Sequence, residues 1–458
     1  MGDVLTRRDL FKLAGALVIS NGVLHVNAEK AMAAGESDVK HPAQPWWVKE
    51  VDKPTTEIDW QNMQRFDEYK TTRGSFADYV GKDKNDQLTA LQAANIKQNI
   101  TDQKAGFKLR DYALNDSWLP GTLSKSFLGP QKTLTPQQRG VPKWTGTPEE
   151  AAEMIRAALR HMGAASVGFV QLEEGTTRKL IYAHDPAPDK KELLFQNTDT
   201  PSETATQRII PYMAEWAIVY TVQMSGETLR SAPSETACQT TLLTYARANA
   251  IQSQLQEFLR GLGYMGLGEA TINALAISPA LGVLAGLGEM SRTNRMISPE
   301  YGTMVRVFKV LTDLPLATDK PINAGIMQFC KSCKKCATAC PSGALSMETE
   351  PTWQVAGPWS NPGHKAWFED STKCMTFWRQ NTNNCTSCFA ACPFAKNDQA
   401  LMHSMVKAAI AGTPSLDAMI KSMDDALGYG KPTDPEEWWT LDLPEYGIDS
   451  NRGHVDRV

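Results

Sequence analysis

Eight of the nine cysteines in this 458-residue chain fall between residues 330 and 392, and their spacing limits what that stretch can fold into. The first run is Cys330-x2-Cys333-x2-Cys336-x3-Cys340-Pro341. The second is Cys374-x10-Cys385-x2-Cys388-x3-Cys392-Pro393. A secreted disulfide framework would spread its cysteines through a small chain. Paired CxxC units also serve zinc, which stands as the rival reading. Two runs of this spacing, each closed by Cys-Pro, favour soft-ligand iron–sulfur clusters. In such runs the fourth cysteine crosses to the other cluster. That rule predicts one set of Cys330, Cys333, Cys336 and Cys392, and another of Cys340, Cys374, Cys385 and Cys388. Two [4Fe–4S] clusters form a wire for single electrons. The ninth cysteine, Cys238, reads as a small buried hydrophobe rather than a ligand.

The length allows two or three domains with substantial cores. A net charge of −4 argues against nucleic acid as a main partner, because phosphate binding wants a basic surface. The N-terminus reads Thr6-Arg7-Arg8-Asp9-Leu10-Phe11-Lys12, followed by a modest apolar stretch and then Ala31-Met32-Ala33. This pattern predicts a twin-arginine signal peptide over residues 1–33 and export of the folded protein past the cytoplasmic membrane. The rival is an ordinary helix start with two chance arginines. The apolar stretch is too short and polar to span a bilayer.

Residues 34–145 are rich in Pro, Gln, Lys and Trp and predict an irregular wrap with short helices. A helix starts at Thr147-Pro148-Glu149-Glu150, with a capping threonine, proline at the first position and acids in the first turn. Residues 165–172 and 217–222 predict strands, 234–262 a long helix, 272–287 a second apolar helix, and 304–311 a strand. Helices alternating with strands over 146–320 indicate an α/β or α+β core. Residues 321–400 hold the cysteines, and 401–458 form a C-terminal extension with helices.

Several local stretches beyond the cysteines carry a resemblance. They are Ala237-Cys238-Gln239-Thr240-Thr241 followed by Tyr245, Ser291-Arg292, Ile297-Ser298-Pro299-Glu300-Tyr301-Gly302, and Met423-Asp424-Asp425-Ala426-Leu427-Gly428-Tyr429-Gly430. With the export signal and the two cysteine runs, the chain resembles the respiratory reductive dehalogenases over nearly all of its mature length. The resemblance implies an α+β fold: a nitroreductase-like core that binds a corrinoid, with a C-terminal ferredoxin-like domain carrying two [4Fe–4S] clusters. It implies no protein ligand to cobalt. The sequence agrees by lacking an Asp-x-His-x-x-Gly signature; His184 comes nearest but is followed by Asp185-Pro186.

The resemblance also assigns residues. Tyr245 matches the proton donor, a phenol whose conjugate base a nearby cation favours. Arg306 matches that cation, and Asn273 the pocket amide. Ser360, Asn361, Gly363 and Trp367 lie in a loop that matches the one against the corrinoid tail, where glycine permits close approach. Trp378 matches an aromatic of the substrate pocket, and Trp46, Trp47, Trp60 and Phe66 are further candidates for its wall. The activity implied is a terminal reductase of organohalide respiration. It would replace chlorine by hydrogen, or eliminate vicinal chlorines, on a small chlorinated alkane or alkene, using Co(I) fed by the clusters. The implied partners are a small integral membrane anchor protein and a membrane electron donor, and a homodimer is compatible with them. Two alternatives stand beside this one: an epoxyqueuosine reductase-like tRNA-modifying enzyme, and a ferredoxin-like electron-transfer subunit.

Overall fold

The strands and helices of the computed structural model follow closely from where apolar residues recur. It describes residues 44, 45, 47–117, 125–395 and 401–448, leaving out the side chains of 401–405. The predicted export signal lies outside the described residues. Nearly all the described residues belong to one unit, Trp47–Ile448. The strands are β1 (Lys49–Glu50), β2 (Ser166–Gln171), β3 (Glu192–Gln196), β4 (Ser202–Glu203), β5 (Gln207–Pro211), β6 (Trp216–Gln223), β7 (Glu289–Met290), β8 (Met296–Ile297), β9 (Val305–Thr312) and β10 (Ile322–Asn323). The main helices are α1 (Thr72–Val80), α2 (Lys82–Thr101), α3 (Leu109–Asp116), α4 (Pro148–His161), α5 (Glu235–Leu262), α6 (Ser278–Leu284), α7 (Ile326–Cys333), α8 (Ser371–Asn381), α9 (Leu401–Gly412) and α10 (Asp417–Ala426).

An antiparallel sheet in the order β2-β6-β9 divides the interior. The run 217–222 is apolar but for the buried Thr221, because β6 is central and covered on both faces. Side chains on a strand alternate. Ala217 and Val219 therefore enter one core with Val170 and Leu311, while Ile218, Tyr220 and Val222 enter the other with Phe169, Phe308 and Val310. Helix α4 closes the second core with Ala151, Ala152, Ile155 and Leu159. Its start is a capping box: Thr147 Oγ1 accepts from the Glu150 N–H at 3.2 Å, and Glu150 Oε2 accepts from the Thr147 N–H at 2.8 Å. Helix α5 begins with the Ser234 hydroxyl accepting from the Ala237 N–H at 3.1 Å. Its second half buries Ala248, Ile251, Leu255 and Leu259 in the same core.

Two stretches differ from the sequence expectation. The segment 272–287 is not one helix: only Ser278–Leu284 is helical, because Asn273 and Leu275 sit at φ +65° and +74° and break it. The wrap is also more ordered than irregular, since α2 is a 20-residue helix. Only Leu88 of α2 is buried, so it shows no apolar stripe. It docks on α8 through polar bonds: Asn95 Nδ2 to Gln380 O at 2.9 Å, Gln92 Nε2 to Thr382 O at 3.2 Å, and Arg379 Nη1 to Gln92 Oε1 at 2.9 Å. The first core runs through the wrap (Trp47, Met63), the middle region and the cysteine-bearing region (Phe329, Cys330, Phe394), so these stretches share one interior.

Candidate active site and cysteine sets

Helix α5 carries Cys238, Thr241 and Tyr245 at i, i+3 and i+7, which places them on one face. Strand β9 approaches that face with Arg306 and Phe308. The turn before α6 brings Asn273. Tyr245 donates its hydroxyl to Asn273 Oδ1 at 3.5 Å, a long bond. Its ring meets Phe308 edge-on at 5.8 Å between centroids. The Arg306 guanidinium lies 5.8 Å from the Tyr245 centroid and donates through Nη2 to Thr241 Oγ1 at 2.9 Å. All three predicted residues are half-buried, so each keeps a face open. Arg306 Nε is buried with no partner. Burial lowers the Arg306 pKa, and the neighbouring Tyr245 hydroxyl opposes that shift.

Arg306 also connects this site to the second cysteine run. Its guanidinium lies 5.2 Å from the Phe389 centroid, next to Cys388. Cys238 is 2 % exposed, and burial pushes its thiol up to about 12, as suits an inert core residue.

The cysteines separate into two groups of four. Cys330, Cys333, Cys336 and Cys392 line one cavity. Burial, and then the neighbouring thiols Cys330, Cys392, Cys388 and Cys333, raise the Cys336 pKa well above its ordinary value. Burial pushes Cys388 up to about 12, with Glu369, Cys385 and Cys340 adding to it, and burial likewise raises Cys374, with Glu369, Cys388 and Cys340 adding. Thiols grouped in this way would repel one another as thiolates, so they suit a cationic centre. Among the described residues no group of three or more His, Cys, Asp or Glu is arranged to hold a single metal ion; the cysteine sets are read as ligands of multi-iron clusters. Each set also has an arginine. Arg292, 1 % exposed, donates to the Cys330 carbonyl through Nη2 at 2.6 Å and to Ser346 O and Glu348 O. Arg295 pairs with Glu369 at 2.6 Å and feels Cys388 and Cys374. Sequence reasoning assigned neither arginine a role, although Ser291-Arg292 stood out as a motif, and it passed over Thr241 as the partner of Arg306.

The loop between the runs is only partly as expected. Asn361 Nδ2 donates to Gln64 O at 3.3 Å, while its Oδ1 is buried without a partner. Ser360 is half-buried, and its N–H donates to Gly357 O at 3.1 Å. Gly363 has φ +91°, and a Cβ there would stand 2.6 Å from Met63 Cα. The close approach that requires this glycine is therefore made by the wrap itself. Trp367 is a correction. It is 1 % exposed, its Nε1 donates to Glu348 O at 3.0 Å and Arg292 covers its ring at 4.6 Å, so it packs the base of the loop and offers no face to a cofactor.

Trp378 is half-buried on α8. Of the further wall candidates, Trp47 is a core residue, Trp60 and Phe66 are half-buried against the core, and Trp46 lies outside the described residues. His184 is held by Asp67, Nδ1 to Oδ1 at 2.8 Å.

Residues 43–316 match the family model described as reductive dehalogenase subunit, and residues 329–395 match the 4Fe-4S double cluster binding domain. The chain is 35 % identical over 319 residues to a tetrachloroethene reductive dehalogenase of Sulfurospirillum multivorans, covering 68 % of this chain and 63 % of that protein. It is 27 % identical to a trichloroethene reductive dehalogenase of Dehalococcoides mccartyi, covering 97 % and 98 %. A solved reductive dehalogenase, described as suggesting a mechanism for B12-dependent dehalogenation, superposes with a TM-score of 0.61 at 25 % identity over 86 % of this chain. The match spans 51 % of that chain, so this sequence corresponds to about half to two thirds of the length of the first and third of these relatives.

Proposed function

The chain belongs to the reductive dehalogenase family, and from that premise we propose that it removes chlorine from a small chlorinated alkane or alkene. The reaction consumes two electrons and one proton, replaces a carbon–chlorine bond by carbon–hydrogen, and releases chloride; loss of vicinal chlorines is its two-electron variant. The observation that carries the reading is the meeting of Tyr245, Asn273 and Arg306 beside the cysteine set that contains Cys388.

Two [4Fe–4S] clusters fit the residues present. Cys330, Cys333, Cys336 and Cys392 would hold one, and Cys340, Cys374, Cys385 and Cys388 the other. A corrinoid fits as well. The buried, unpartnered Asn361 Oδ1 and Arg306 Nε are polar atoms that its carboxamide rim would satisfy. When bound, the corrinoid supplies the low-potential metal at which the carbon–halogen bond breaks. The chain's own residues do the rest. Tyr245 gives its hydroxyl proton to carbon, Asn273 fixes that hydroxyl, and Arg306 stabilises the phenolate left behind. Phe308 holds the phenol ring from its side, and Trp378 offers an apolar wall to a substrate with almost no hydrogen-bonding groups.

The setting we propose is respiratory. The twin-arginine sequence directs export to the outer face of the cytoplasmic membrane. Among the described residues no helix is long and apolar enough to cross a membrane. A small integral membrane protein then anchors the enzyme, and a membrane donor supplies its electrons. The epoxyqueuosine reductase-like reading is less favoured, because an acidic chain with an export sequence suits a tRNA substrate poorly.

Metal analysis of the purified, reconstituted protein tests the cofactor content. About eight iron and one cobalt per chain are expected. A protein that takes up iron but no cobalt would contradict the reading.

A further inference from the structure

Asn273 and Leu275 both occupy the left-handed region, which a branched side chain such as leucine adopts only under strain. Such conformations persist only where surrounding contacts over-determine them. Leu275 is gripped from both sides. Its carbonyl accepts from the Tyr182 N–H at 3.0 Å, and its N–H donates to Asp185 Oδ1 at 2.7 Å. Asp185 is 1 % exposed, and its other oxygen accepts from Arg208 Nη1 at 2.5 Å. Arg208, on β5, is itself fixed by Asp189 at 2.7 Å and Glu203 at 2.9 Å. The strained turn held in this way presents Asn273 to Tyr245.

We propose that Asp185 is a positioning residue for the dehalogenation site, its two oxygens tying the Asn273–Leu275 turn to the anchored Arg208 so that Asn273 meets the Tyr245 hydroxyl. This rests on the Tyr245–Asn273 reading above. A carboxylate suits the task because it offers an acceptor oxygen to each of two donors. Asparagine has one acceptor oxygen, for which the Leu275 N–H and the Arg208 guanidinium would compete. The turn would then relax out of its left-handed geometry, and Asn273 would move off the phenol.

The test uses the holoenzyme, loaded with both clusters and corrinoid. Asp185→Asn is nearly isosteric and keeps the fold. Asp185→Leu/Arg208→Met removes both charges together, so no lone buried charge remains. Each variant is expected to lose about 10- to 100-fold in kcat with KM within about twofold. Iron and cobalt content should stay unchanged, and amide exchange over residues 271–277 should be faster. Normal kcat in either loaded variant overturns the proposal. So does a loss that follows cofactor content or appears in KM alone. Tyr245→Phe is assayed alongside. Normal turnover there removes the site reading itself, whereas severe loss there with normal Asp185 variants overturns only the positioning role.

Discussion

At the scale of single residues, Tyr245 is a candidate because of what surrounds it. An isolated tyrosine on an apolar helix is usually a core residue with a satisfied hydroxyl. Here the hydroxyl meets a pocket amide, the ring rests on Phe308, and a half-buried arginine stands over it. Tyr245→Phe keeps the packing and removes the proton. Turnover should fall by about 10²- to 10⁴-fold with iron and cobalt content intact, and a steady-state assay beside metal analysis measures both. Glu68 tests the electrostatics of the wrap. It is 2 % exposed, its Oε2 has no partner, and burial pushes its carboxyl up from 4.5 to about 8. Over that interval the folded chain binds more protons than the unfolded one, so this residue's contribution to stability is full at low pH and is lost as pH rises through about 8. Thermal unfolding of Glu68→Gln should therefore show a flatter decline than the parent between about pH 4.5 and about pH 8, and a higher midpoint at the upper end. Single-residue roles were legible where chemistry dictates type, as with the cysteines. They were not legible where packing decides. Nothing in the run 360–367 distinguishes a tryptophan that faces a ligand from Trp367, buried under Arg292.

At the scale of elements, a continuous apolar run revealed the strand at 217–222, buried on both faces, and apolar recurrence revealed the helix after Thr147 and the long helix after Ser234. It failed for α2, whose docking on α8 is polar. It failed again at 272–277, where tertiary hydrogen bonds hold two residues in a left-handed conformation that local pattern does not encode. The turn Pro299-Glu300-Tyr301-Gly302 shows what such constraints enforce. Gly302 has φ +61°, and a Cβ there would stand 1.9 Å from the Phe394 carbonyl oxygen, just past the second cysteine run. Gly302→Ala should destabilise the protein by more than about 1 kcal/mol. It should also loosen the link between β9 and the cysteine region, read as a lower unfolding midpoint together with reduced iron retention.

At the scale of the whole molecule, the crossed cysteine sets knit the two runs into one unit whose interior is shared with the wrap and the central sheet. The crossing makes a counting prediction. Cys330→Ala combined with Cys392→Ala strikes one set and should leave about four iron per chain. Cys330→Ala combined with Cys385→Ala strikes both and should leave far less. Equal iron in the two double variants would contradict the crossing. The spacing in the sequence predicts this pairing, whereas the corrinoid was reached only through resemblance, because no ligand motif in the sequence marks it. The central claim is that this chain uses such a cofactor to break carbon–chlorine bonds. The most direct test is chloride release by the protein reconstituted with iron, sulfide and cobalamin, under a strong one-electron reductant, on a panel of chlorinated methanes, ethanes and ethenes. Catalytic chloride release that requires both protein and cobalamin is predicted for at least one substrate. A fully loaded protein that releases no more chloride than free cobalamin on every substrate would contradict the account.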